Sequence, residues 1–137
     1  MFDAVHHIAY VVHDRDAALR LFSEKLGMKP FKIWESDEEG NAYAALQIGN
    51  TDSYLEIICP TNDFVSKFAA HLKEHGASVH HVAFRDNDFD NTLNTLSEEL
   101  GISGTAPIVS SSDWRITFLD TDATLGVGLQ LVDGRHE

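Results

Sequence analysis

Two histidine pairs, His6-His7 and His80-His81, stand 74 residues apart, and the same interval separates Glu56 from Gln130. These residue types suggest metal chemistry. Imidazole nitrogens combined with oxygen donors suit Zn, Fe(II), Co, Ni or Mn. Glu56 lies in the apolar run Tyr54-Leu55-Glu56-Ile57-Ile58-Cys59. A carboxylate buried in such a run is costly unless something pairs with it. Gln130, in Gly128-Leu129-Gln130-Leu131-Val132, raises the same question more mildly. Two imidazoles, one carboxylate and one amide oxygen satisfy one another if they converge on a single divalent ion. The expected ligands are therefore His7, Glu56, His81 and Gln130, with the amide the weakest of the four.

The 74-residue interval extends well beyond these positions. His6 to Tyr10 falls on His80 to Phe84, Asp14 and Asp16 on Asp88 and Asp90, and Leu19 on Leu93. Ser23-Glu24 and Leu26-Gly27 fall on Ser97-Glu98 and Leu100-Gly101, without a gap. The same shift carries Leu55 to Ile58 onto Leu129 to Val132. Self-similarity in one register marks a duplicated structural unit. In the first copy a β-branched run predicts a strand near 4–12. A helix follows near 15–26, capped by Asp14, with Leu19, Phe22 and Leu26 as its apolar stripe and Gly27 as its stop. Three more strands are expected near 28–35, 42–48 and 53–59. The second copy predicts a strand near 79–85, a helix near 88–100 begun by Asp88, and strands near 106–110, 114–119 and 127–132. A linking helix is read over about 62–76, with Phe64, Phe68 and Leu72 on one side and Gly76 at its end. Side chains alternate across a strand, so Val5, His7, Ala9 and Val11 share one face. The bulkier face of Ile8, Tyr10 and Val12 is expected against the helix, which leaves the His7 face open and concave.

Composition limits the alternatives. The 137 residues suffice for one domain with a shared core, read as module 1 over about 4–59 and module 2 over about 78–133. A formal charge of −12 disfavours nucleic acid and acidic membranes as partners. The sequence has no long apolar run and no basic-then-apolar leader, and its single cysteine, Cys59, permits no internal disulfide. A cytoplasmic chain without membrane or nucleic-acid partners is the expectation. The other candidates have plainer readings. His6 and His80 face away from the ligand face. His13, His71, His75 and His136 belong at the surface. Glu38 and Glu39 fall in a solvated acidic run, and Arg115 forms a surface salt bridge. Trp34 and Trp114 pack in the core or at a rim, and Cys59 is inert.

The stretches HHIAYVV, IGNTDSYLEIICP, HGASVHHVAF and ITFLDTDATLGVGLQLVD resemble the vicinal oxygen chelate superfamily. That superfamily includes glyoxalase I, bleomycin-resistance proteins, extradiol dioxygenases and methylmalonyl-CoA epimerase, and the last is the most similar. The resemblance covers nearly the whole chain. It implies an α+β fold of two tandem βαβββ modules forming one curved mixed sheet around a central metal cleft. It also implies a homodimer and ligands from the first and fourth strands of each module, again His7, Glu56, His81 and Gln130. In the epimerases and glyoxalases the fourth ligand is usually Glu and can act as a base. Gln130 cannot take a proton. The base is then expected at Glu56 or at Glu39, whose stretch is similar to an epimerase region that supplies a second carboxylate. The implied reaction is isomerisation or epimerisation by proton transfer beside a carbonyl, on a small molecule with adjacent oxygens such as an acyl-CoA. Two alternatives stand beside it. One is a non-haem Fe(II) dioxygenase using His7, Glu56 and His81. The other is a non-catalytic binding protein of the bleomycin-resistance type.

Overall fold

The computed structural model describes residues 1–136. These form an α+β chain with eight strands and three α-helices, in the element order of two βαβββ copies. Two compact units emerge. One is His7–His80, and the other is Met1–His6 with the chain from His81 onward.

In the His7–His80 unit the strand order is β2-β3-β4-β1. The strands are β1 (Ala4–Val11), β2 (Lys29–Ser36), β3 (Asn41–Gln47) and β4 (Tyr54–Pro60). β1 runs parallel to β4, and the other two pairings are antiparallel. Ala44, Leu46, Leu55 and Ile57 form one buried cluster, against which Tyr10, Val12, Leu19 and Phe22 pack. This is the expected helix-facing side, and alternation commits His7, Ala9 and Glu56 to the other. The helix is α1 (Arg15–Arg20), continued by a π-helical turn over Leu21–Lys25. Asp14 caps it by accepting from the Ala17 amide at 3.0 Å. Leu26, expected in the apolar stripe, is 61% exposed, because the wider π turn rotates it away from the sheet.

The linking helix is shorter than the sequence pattern predicts. α2 spans Ala69–His75, and Phe64 is fully exposed. The reason is local hydrogen bonding. The Asn62 side chain accepts from the Phe64 amide, and its carbonyl accepts from the amides of Val65 and Ser66, folding 62–66 into a turn. This turn lies on Gly40, at whose position a Cβ would come within 3.0 Å of Ser66 N and Val65 Cβ.

In the second unit the order is β5-β8-β7-β6. The elements are β5 (Ser78–Asp86), α3 (Phe89–Glu98), β6 (Ile108–Val109), β7 (Arg115–Phe118) and β8 (Leu129–Asp133). β5 is parallel to β8. Phe89, Leu96, Leu119 and Leu131 bury the α3 side. Ala83, Ile116 and Val132 form a separate cluster with Trp114 and Phe118. β6 is only two residues long, against the five expected. Asp88 does not cap α3 with its side chain; its Oδ1 instead accepts from the Asn91 side chain at 2.9 Å. No described helix is long and apolar enough to cross a membrane.

Candidate metal and proton-transfer site

The register fixes what surrounds each predicted ligand. In the first unit Ala9 of β1 and Ala45 of β3 lie on either side of Glu56. Two methyl side chains leave the carboxylate room on its own face. His7 is two residues before Ala9 on that face, and its Nε2 lies 3.6 Å from Glu56 Oε1. In the second unit Ala83 of β5 and Phe118 of β7 flank Gln130. His81 packs edge-on against the Phe118 ring, with centroids 5.0 Å apart.

These four residues are not on an open surface, as the sequence suggested. His7, Glu56, His81 and Gln130 are 1%, 6%, 2% and 3% exposed. Burial, and secondarily the nearby charge of Glu39, push the Glu56 carboxyl up to about 8. Gln130 Oε1 is buried with no hydrogen-bond partner among the described residues. Native proteins rarely leave such an atom unpaired without a reason. A divalent cation fits both facts, since it accepts an amide oxygen as a ligand and favours the ionised carboxylate.

Glu39 is the other acidic group that matters. The acidic run predicts solvation, and Glu38 is exposed, but Glu39 is half-buried. It lies in the β2–β3 turn, where its amide bonds Ser36 Oγ at 3.1 Å. Its Oε1 accepts from the Tyr43 hydroxyl at 2.7 Å. Tyr43 and Asn41 escaped the sequence reading. The signal for Tyr43 was alternation along β3, which puts it on the Ala45 face and therefore on the Glu56 face.

The remaining candidates do other work. His6 is fully buried, edge-on to Trp114 at 4.5 Å. His80 packs against Phe68 and His71, and burial pushes its pKa down to about 4. His71 bonds Ser78 Oγ at 2.9 Å, and the His75 ring lies beside it, tilted by 49°. Trp34 stacks on Tyr43. Arg115 is held by Asp133 and Asp90 at 2.9 and 3.0 Å, the expected salt bridge.

A sequence model of the Glyoxalase/Bleomycin resistance protein/Dioxygenase superfamily matches residues 6–118. The chain belongs to this superfamily. Solved methylmalonyl-CoA epimerases share its fold. The enzyme from Mycobacterium tuberculosis is 22% identical, with 96% of this chain and 88% of that one covered at a TM-score of 0.88. A variant of the Streptomyces coelicolor enzyme, in complex with 2-nitronate-propionyl-CoA, is 29% identical over 97% and 98% of the two chains, with a TM-score of 0.87. A methylmalonyl-CoA epimerase in complex with methylmalonyl-CoA and NH4+ is 29% identical over 100% and 99%, with a TM-score of 0.88. No protein of curated function matches the sequence.

Proposed function

We propose that this chain is a metal-dependent isomerase or epimerase that moves a proton at the carbon beside a carbonyl, with an acyl-CoA as the first substrate class to test. His7, Glu56, His81 and Gln130 would hold one divalent ion. The set His7, Glu56 and His81 supports this as a group suited to a metal. The buried, unpartnered Gln130 Oε1 supplies the fourth donor and is the observation that carries the reading. When bound, the ion supplies a Lewis acid that stabilises negative charge developing on a substrate oxygen. Glu39 takes and returns the proton, because Gln130 cannot. Glu56, engaged as a ligand, keeps its charge. Two similar structures hold acyl-CoA molecules, which favours that substrate class. A homodimer in the cytoplasm belongs to the same reading, and sedimentation checks the first of these.

The test is solvent deuterium exchange into methylmalonyl-CoA by metal-loaded protein. Exchange slowed by at least about a hundred-fold, yet still measurable, in Glu39→Gln supports the reading, and its absence from fully loaded wild-type protein refutes it for this substrate. A second reading has its own support, since two histidines and a carboxylate are also the donor set of non-haem Fe(II) oxygenases. Oxygen consumption by Fe(II)-loaded protein with a diol or keto acid would favour it. Ligand binding without any metal would favour the non-catalytic alternative.

A further inference from the structure

We propose that Tyr43 is a positioning residue: its buried hydroxyl, oriented by Asn41, holds the Glu39 carboxylate in the one arrangement from which it exchanges protons with substrate. This rests on Glu39 as the proton carrier. A glutamate on a turn has three soft side-chain torsions and loses rotamer freedom when it is held. Tyr43 has two, and both are fixed by stacking on Trp34, with ring centroids 4.8 Å apart and planes 12° from parallel.

The direction of the hydrogen bonds follows from the donors. Asn41 Nδ2 donates to Tyr43 Oη at 3.0 Å and to the Glu39 carbonyl at 3.1 Å. The phenol oxygen is thus an acceptor on one side, and its own proton points to Glu39 Oε1. Asn41 cannot flip its amide, because Oδ1 accepts from Ser66 Oγ, which in turn accepts from the Phe68 amide. The turn is clamped from the backbone as well. The Gly40 carbonyl accepts from the amides of Thr61 and Asn62, and Gly40 has φ +71° with no space for a Cβ. On the strand side, Arg15 Nη1 donates to the carbonyls of both Trp34 and Tyr43 at 3.2 Å. Burial first, and the bond to Glu39 second, push the Tyr43 hydroxyl well above its ordinary pKa. The phenol therefore stays a donor and does not compete as a base. The chain Ser66–Asn41–Tyr43–Glu39 ties the connection after β4 to the carboxylate.

The experiment is a double-mutant cycle with Tyr43→Phe and Glu39→Gln, read by deuterium exchange into methylmalonyl-CoA and by 13C relaxation of the Glu39 side chain. Tyr43→Phe keeps the stack on Trp34 and removes only the hydroxyl. In the wild-type background it is expected to lower kcat by about ten- to a hundred-fold, the scale of a small misplacement, with little change in KM. In the Glu39→Gln background it should lower it no further. Equal loss in both backgrounds overturns the proposal. The relaxation measurement stands independently of turnover: the Glu39 methylenes should gain amplitude of motion in Tyr43→Phe, and unchanged order overturns the proposal even if the exchange reaction proves to be the wrong one. Loss of exchange in wild-type protein with ordered Glu39 freed by Tyr43→Phe would instead refute the functional reading and keep the positioning role. If Tyr43→Phe does not fold, Ser66→Ala applies the same two readouts from one bond further away.

Discussion

Glu56 and Gln130 occupy the same place in two copies of one fold, and their surroundings differ. Glu56 is flanked by Ala9 and Ala45, Gln130 by Ala83 and Phe118. The hairpin turns differ in the same sense. The left-handed position is Gly40 in one and Asp113 in the other, and the residue before it is Glu39 in one and Ser112 in the other. The first copy therefore carries both carboxylates, with only methyl side chains flanking Glu56. The second carries an amide, a hydroxyl and an aromatic ring over its histidine. The two copies share strand register, while the carboxylates at these two places, Glu56 and Glu39, stand in the first copy only.

The largest test of this difference is Glu56→Gln, which makes the two copies alike. Metal affinity should fall by more than about a hundred-fold, beyond the range expected for outer partners of a ligand. The same variant should have the opposite effect on the metal-free protein. Glu56 has a folded pKa of about 8 against an ordinary 4.5, so the folded state binds more protons between those values. Its contribution to stability is complete below about pH 4.5 and is lost as pH rises through about 8. Thermal melts of chelator-treated protein should show this decline in the wild type, and Glu56→Gln should flatten it and melt higher at pH 8. Metal binding should correspondingly release a proton near neutral pH, which titration calorimetry in two buffers detects.

Phe118→Ala removes the aromatic half of the contrast. A fully buried Phe loses roughly 3–5 kcal/mol on truncation, and this half-buried one should lose about 2 kcal/mol in denaturant melts. Gln130→Glu gives the second copy the missing carboxylate. It should tighten metal by about ten-fold, equal to about 1.4 kcal/mol, and speed deuterium exchange. A decrease in both would show that the amide, not the charge, is what this position requires. The smallest effect is expected at Leu26→Ser, within about 0.5 kcal/mol, because the side chain is already in solvent.

The common register of His7 with His81 and of Glu56 with Gln130 was legible because two copies state it twice, and alternation along β1 and β4 then chose the face. Depth was not legible. His7 and Glu56 share an apolar pattern whether the face is open or covered, so burial had to come from packing. The start of the linking helix departed from the pattern because a side chain competes with the backbone there, as Asn62 does before α2. Tyr43 was hidden because it is brought to Glu39 by a hairpin whose pairing no periodicity reveals. Leu26 followed an ideal helical stripe that the π turn does not.

The central proposal is that His7, Glu56, His81 and Gln130 hold one ion. Its most direct test is the stoichiometry and affinity of Co(II) or Zn(II) binding to chelator-stripped protein, measured for wild type, His7→Ala and His81→Ala. One ion per chain, lost or weakened by more than about a hundred-fold in each single variant, is the predicted result. Two ions per chain, or binding that survives either substitution, would contradict it.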